Sequence, residues 1–120
     1  MKRVVVAVLL LAGCHYKKSP EEIQKEQEAL ERWNRAVAAV QVTKDEPKGC
    51  GYLKAIQAIG LNKQNPFIPG NYEQALADLR VQAVTNGANT AVIDDITPSQ
   101  GGQTGDFRFI INSRLYRCPS

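Results

Sequence analysis

Histidine is almost missing from this chain. His15 stands alone, at the end of an N-terminal apolar run. A Ser-His-Asp or Cys-His arrangement needs its imidazole beside a nucleophile in a folded domain, and His15 is badly placed for that. Also missing is an apolar run long enough to cross a bilayer. About 20 apolar residues are required, whereas Val4 to Ala12 supplies nine. A strong charge of one sign is lacking too. The formal net charge is +3, and without Lys2 and Arg3 the balance is 13 basic residues against 12 acidic ones. There is no basic stripe, which argues against nucleic acid as a partner. There is no internal repeat. Gly101-Gly102-Gln103-Thr104-Gly105 lacks the Lys-Ser/Thr of a phosphate loop and reads as a flexible connection.

What is present begins with an export signal. Lys2 and Arg3 form a positive start, and the nine apolar residues that follow fall within the roughly 7–15 of a signal core. Leu11-Ala12-Gly13-Cys14 then resembles the bacterial lipobox, a Leu, two small residues and a Cys. That resemblance implies a diacylglyceryl group on the Cys14 thiol, cleavage before Cys14, and acylation of the new amino terminus. Only a thiolate is nucleophilic enough to take the lipid, and two or more acyl chains anchor stably where one binds marginally. The competing reading is an ordinary secretory signal in which Cys14 is incidental. His15 stands where an Asp retains enterobacterial lipoproteins in the inner membrane, so the resemblance points to the outer membrane.

With Cys14 assigned to the anchor, Cys50 and Cys118 remain. An even count in an exported chain reads as a disulfide. Metal-binding thiols are the alternative, but no further Cys or His is available to complete a site. No metal or cofactor is expected.

The expected organisation is a signal over 1–13, a lipidated tether over 14–19, a charged helix over 20–37 and a small domain over 38–120. Ser19 caps the first helix, Pro20 suits its first position and Glu22 completes a capping box. Glu21/Lys25, Glu28/Arg32 and Glu31/Arg35 are i,i+4 pairs in the favourable orientation. Ile23, Leu30, Trp33 and Val37 form a narrow apolar stripe, expected to pack on the protein's own sheet with Trp33 as a core contact. A partner-docking surface is the alternative.

Strands are expected over Ala38–Thr43 and Cys50–Ile59, then a Pro-punctuated loop to Asn71. Asn71, with Gln74, caps a second helix that presents Tyr72, Ala75, Leu76, Leu79 and Ala83 on one face. Asn86-Gly87 stops it. A third strand follows over 88–93, and a last one over Phe107–Cys118 carries Phe107, Phe109, Ile111 and Leu115 on one face. Cys118 then falls on the opposite parity unless a bulge intervenes near Asn112-Ser113. The fold class is α+β: helix-β-β-helix-β-β, with a small four-stranded antiparallel or mixed sheet and helices on one side. The disulfide ties the second strand to the last.

Four segments carry a family resemblance: Gly49-Cys50-Gly51-Tyr52-Leu53; Ala77-Asp78-Leu79-Arg80 with Ala83; Asn86-Gly87-Ala88-Asn89-Thr90-Ala91-Val92-Ile93; and Leu115-Tyr116-Arg117-Cys118. Residues 38–118 resemble a family of small proteobacterial lipoproteins of unknown function, similar in fold to the Rcs stress-sensor lipoprotein of enteric bacteria. The resemblance implies an exported domain with one buried disulfide, and no reaction. The stress sensor has a Pro-rich linker and four domain cysteines, where this chain has a charged helix and two.

Candidate chemistry is sparse. Asp94-Asp95, with Asp106, could bind a cation or do acid–base work. Adjacent strand residues point to opposite faces, however, and a solvated strand end is the simpler reading. Arg108, Arg114 and Arg117 are in mixed phase and form no clear patch. The expectation is a non-enzymatic lipoprotein, anchored to the membrane by its lipid and able to contact an envelope protein, with a stress-sensing module as the alternative.

Overall fold

The computed structural model describes residues 19–101 and 105–119. Cys14, the expected lipidation site, His15 beside it, and Gly102-Gln103-Thr104 of the Gly-rich loop lie outside the described residues. The chain divides into two units, Met1–Arg32 and Trp33–Ser120.

The first helix, α1, spans Pro20–Ala39. Ser19 Oγ accepts the Glu22 amide at 3.2 Å, as an N-cap does. No residue of α1 is buried. Ile23, Leu30 and Trp33 are 44%, 59% and 38% exposed. The expectation that Trp33 is a core contact is corrected, while Val37 is half-buried. Four large apolar side chains spread over more than three turns offer little area to bury. The acidic and basic residues around them are better left in water.

The second unit contains the sheet. Its strands are β1 (Gln41–Thr43), β2 (Gly51–Gly60), β3 (Thr90–Thr97) and β4 (Phe109–Arg117), with helix α2 (Tyr72–Thr85) between β2 and β3. The spatial order is β1-β3-β4-β2. β1 runs parallel to β3, while β4 is antiparallel to both β3 and β2. β2 and β3 are therefore parallel to each other with β4 inserted between them, a split βαβ unit. The fold is α+β in the expected element order, with a mixed sheet.

Helix α2 forms where local signals agree. Asn71 Oδ1 accepts the Gln74 amide at 2.9 Å, and Gln74 Oε1 accepts the Asn71 amide at 3.0 Å, a complete capping box. At the other end the Ala88 amide reaches Ala83 O and the Gly87 amide reaches Val84 O. That is a Schellman close, which needs Gly87 at φ 77°.

The core lies on one face of the sheet, under α2. Ala75, Leu79 and Ala83 of the helix meet Ala58, Ala91, Ile93, Ile111 and Leu115 of the strands. Alanines on both sides bring helix and sheet close, and Leu79, Ile111 and Leu115 are the largest fully buried side chains between them. Closest approach is at the end of β2. A Cβ on Gly60 would lie 2.6 Å from the Asn71 carbonyl oxygen and 2.7 Å from the Ala75 nitrogen. A Cβ on Gly70 would collide with the Gly60 carbonyl. These two glycines let the loop 61–71 fold back and start α2 directly on the strand it leaves.

Gly60→Ala is expected to push the first turn of α2 off β2 and to lower unfolding free energy by about 1–3 kcal/mol, the usual cost of overpacking. Urea denaturation checks this, and a midpoint equal to wild type would contradict the close approach.

Candidate functional site

The disulfide is the one sequence-predicted site that the described residues contain in full. Cys50 and Cys118 are bonded across 68 residues of sequence. Gly51 pairs with Arg117 as the last rung of the β2–β4 ladder, so the bond closes that ladder just beyond its end. Neither cysteine is buried, unlike the buried bridge that the family resemblance implies. The parity problem is resolved differently from the expected bulge in β4. β4 keeps its register and ends at Arg117, and β2 carries a register shift between Tyr52 and Lys54. Asn89 then holds the cysteine's backbone. Its Nδ2 donates to Cys118 O at 2.8 Å, and its Oδ1 accepts the Cys118 amide at 2.8 Å. The side chain acts as one more rung of the β3–β4 ladder.

The open face of the sheet, opposite α2, carries the most organised set of charged groups. A second register shift lies in β3 between Ile93 and Asp95, opposite Ser113 and Asn112. It corrects the expectation that Asp94 and Asp95 face opposite ways. Asp94 accepts Arg114 Nε at 2.9 Å, and Asp95 accepts Asn112 Nδ2 at 2.6 Å. Arg114 and Asn112 are two residues apart on one strand, so both carboxylates serve the same face. Arg114 also donates through Nη1 to the Tyr116 hydroxyl at 2.9 Å and lies 3.5 Å from Glu46. The Tyr116 hydroxyl donates to Glu46 Oε1 at 3.2 Å. The Tyr52 ring meets the Tyr116 ring edge to face, with centroids 5.6 Å apart.

On this face Val92 and Tyr116 are 0% and 5% exposed yet lie outside the core cluster. Burial and the hydrogen bond to Glu46 push the Tyr116 phenol above its ordinary range. The hydrogen bond from Arg114 to Asp94 strengthens the guanidinium's hold on its proton. Glu46 reaches this network from the segment between β1 and β2, so the network fastens that segment across the sheet. It consumes its own charges and leaves no carboxylate pair open for a cation.

Asp106 belongs to a different place. Arg108 donates to both of its oxygens, at 2.8 to 3.1 Å. Those hydrogen bonds hold the carboxyl at about 2, against an ordinary 3.8. Arg117 is exposed at the end of β4. The three arginines thus form no shared patch. Among the described residues no group of three or more His, Cys, Asp or Glu side chains could hold a metal ion. Gly101 makes a tight turn against Pro69 at φ 60°.

A further device was invisible to sequence reading. β2 is an edge strand, and Asp78 and Gln82, one turn apart on α2, reach over its outer side. The Ile59 amide donates to Asp78 Oδ2 at 2.8 Å, and Gln82 Nε2 donates both to Gln57 O at 2.8 Å and to Asp78 Oδ2. Backbone groups that would otherwise offer themselves to another strand are satisfied from within the chain. The same helix borders an open groove of about 780 Å³, lined by Ile59, Leu61, Lys63, Gln74, Asp78 and Val81.

Asp78→Ala is expected to speed amide exchange at Ile59 selectively and to cost about 1–3 kcal/mol, as loss of a charged acceptor does. Hydrogen exchange read by NMR checks it, and an unchanged Ile59 rate would contradict the edge cover.

Comparison with protein-family models, with curated proteins and with solved structures finds no match for this chain.

Proposed function

We propose that this chain is a cell-envelope lipoprotein, held to the periplasmic side of the outer membrane by lipid on Cys14, with a domain that binds or supports another envelope component and performs no catalysis. The observation that carries the reading is the ordered run of Lys2-Arg3, a nine-residue apolar core and Leu11-Ala12-Gly13-Cys14. The Cys50–Cys118 bond is in keeping with an exported chain. Among the described residues no helix is long and apolar enough to cross a membrane.

The domain's organised charges support binding over reaction. Glu46, Asp94, Asp106, Arg108 and Arg114 are engaged with one another, and the Cys50–Cys118 bond closes a ladder. The surfaces it offers to a protein partner are the uncovered half of edge strand β2, where Tyr52 and Leu53 are exposed, and the apolar stripe of α1.

Lipidation is tested by fractionating cells that express the wild-type or the Cys14→Ser protein. The wild type is expected in the membrane fraction after a high-salt wash, with an acylated Cys14 peptide by mass spectrometry. The variant is expected to lose that acylation and most of its membrane partition. A Cys14→Ser protein that remains with membranes at the wild-type level contradicts the proposal.

A further inference from the structure

The loop 61–71 is almost free of charge. From Gly60 to Tyr72 there is no Asp or Glu, and Lys63 is the sole charge, in a chain with 12 acidic residues. The same stretch holds Leu61, Phe67 and Ile68, which are 43%, 81% and 48% exposed, and Tyr72 at its end is 39% exposed. Phe67 is the most exposed of the large apolar side chains in the described structure.

That exposure is held in place by polar groups. Asn62 Oδ1 accepts the amides of Gln64 and Asn65, at 3.1 and 3.0 Å. Asn65 Oδ1 accepts the Phe67 amide at 3.0 Å, and Asn65 O accepts the Ile68 amide at 3.0 Å. The Gly70 amide donates to Phe107 O at 2.7 Å, and Ser99 Oγ donates to Gly70 O at 2.8 Å. Pro66 and Pro69 restrict the backbone on either side of Phe67-Ile68. Backbone groups are thus satisfied inside the loop while the large apolar side chains are turned outward. The loop does not collapse onto the core, and Asn and Pro hold its tip in shape.

We propose that this loop is a second membrane contact, with Phe67 and Ile68 entering the interfacial region of an anionic bilayer and Lys63 meeting a lipid phosphate. The inference rests on the membrane-anchored reading above. Charge selects the occupant. Aromatic and aliphatic side chains flanked by a cation, with carboxylates excluded, suit the boundary between headgroups and acyl chains, where a nearby Asp or Glu would be repelled. The neighbouring Asp106 is neutralised by Arg108 in two-pronged contact. The next acidic residue in sequence, Glu73, lies beyond the loop in the first turn of α2.

The test uses protein purified from bacterial membranes and reconstituted in phosphatidylethanolamine–phosphatidylglycerol vesicles. With Trp33→Phe as background, Phe67→Trp places the sole indole on the loop, and Tyr52→Trp places it on β2 as a control. Acyl chains brominated at graded depths are expected to quench emission from position 67, locating it about 5–10 Å into the headgroup–acyl boundary, and to leave position 52 unquenched. Adding Lys63→Gln is expected to shift the inserted-to-free ratio of the loop about fivefold, the effect of one cation at an anionic surface. Emission from position 67 that is quenched no more than that from position 52 overturns the proposal and leaves the loop to a protein partner. The mass of the Cys14 peptide is read in the same samples. Acylated protein with an unquenched position 67 contradicts the loop contact alone. Unacylated protein with a quenched position 67 contradicts the anchor alone.

Discussion

Both sides of β4 are hydrogen-bonded along its length, to β2 on one side and β3 on the other, while those two strands never touch each other. The chain reaches β4 last. Until it arrives, β2 and β3 are parallel strands with a gap between them, joined only by α2. The final strand supplies Ile111, Ser113 and Leu115 to the face under the helix. On the other face it supplies Arg114 and Tyr116, which draw in Glu46 and Asp94. Both layers of the domain are thus completed by one segment, and holding its end matters accordingly. Two devices do so at the same point, the covalent bond from Cys118 to Cys50 and the paired hydrogen bonds from Asn89.

The two layers differ in kind. Beneath α2 the contacts are apolar and close, set by alanines and by Gly60. On the open face the cover is made of polar groups whose hydrogen bonds are mutually satisfied, and Val92 is buried beneath it. An isolated exposed ion pair contributes little to stability. Arg114, however, has three partners, and one of them orders a segment distant in sequence. Charges are satisfied internally on this face and the outer edge of β2 is covered by Asp78 and Gln82, while large apolar side chains stay exposed in the loop 61–71 and at Tyr52 and Leu53 of β2.

The element order was legible because each boundary has a local cause. Asn71 with Gln74 starts α2, Gly87 ends it, and Phe107, Phe109, Ile111 and Leu115 on one face mark the last strand. The pairing of Cys50 with Cys118 was legible from an even count of domain cysteines. What escaped the sequence depends on partners far apart in the chain. A register shift at Asp94 cannot be read from Ile93-Asp94-Asp95, since it is defined only against Asn112 and Ser113. Asp78 looked like an ordinary polar position on a helix, yet its acceptor is spent on Ile59. Gly60 read as a loop residue, and its real constraint is the backbone of Asn71 and Ala75. Trp33 is not the core contact its stripe suggests, because helical spacing says which residues share a face and nothing of whether enough area exists to cover them.

The central claim is that the covalent closure of β2 onto β4 sustains the domain. It is tested most directly by urea unfolding of protein bearing Cys50→Ala and Cys118→Ala together, beside the oxidised wild type. The chain-entropy model for a bond spanning 68 residues predicts a loss of roughly 4 kcal/mol, a large share of a small domain's stability. An unfolding free energy within error of the oxidised wild type would contradict the account and assign the closing of the sheet to the ladder and Asn89 alone.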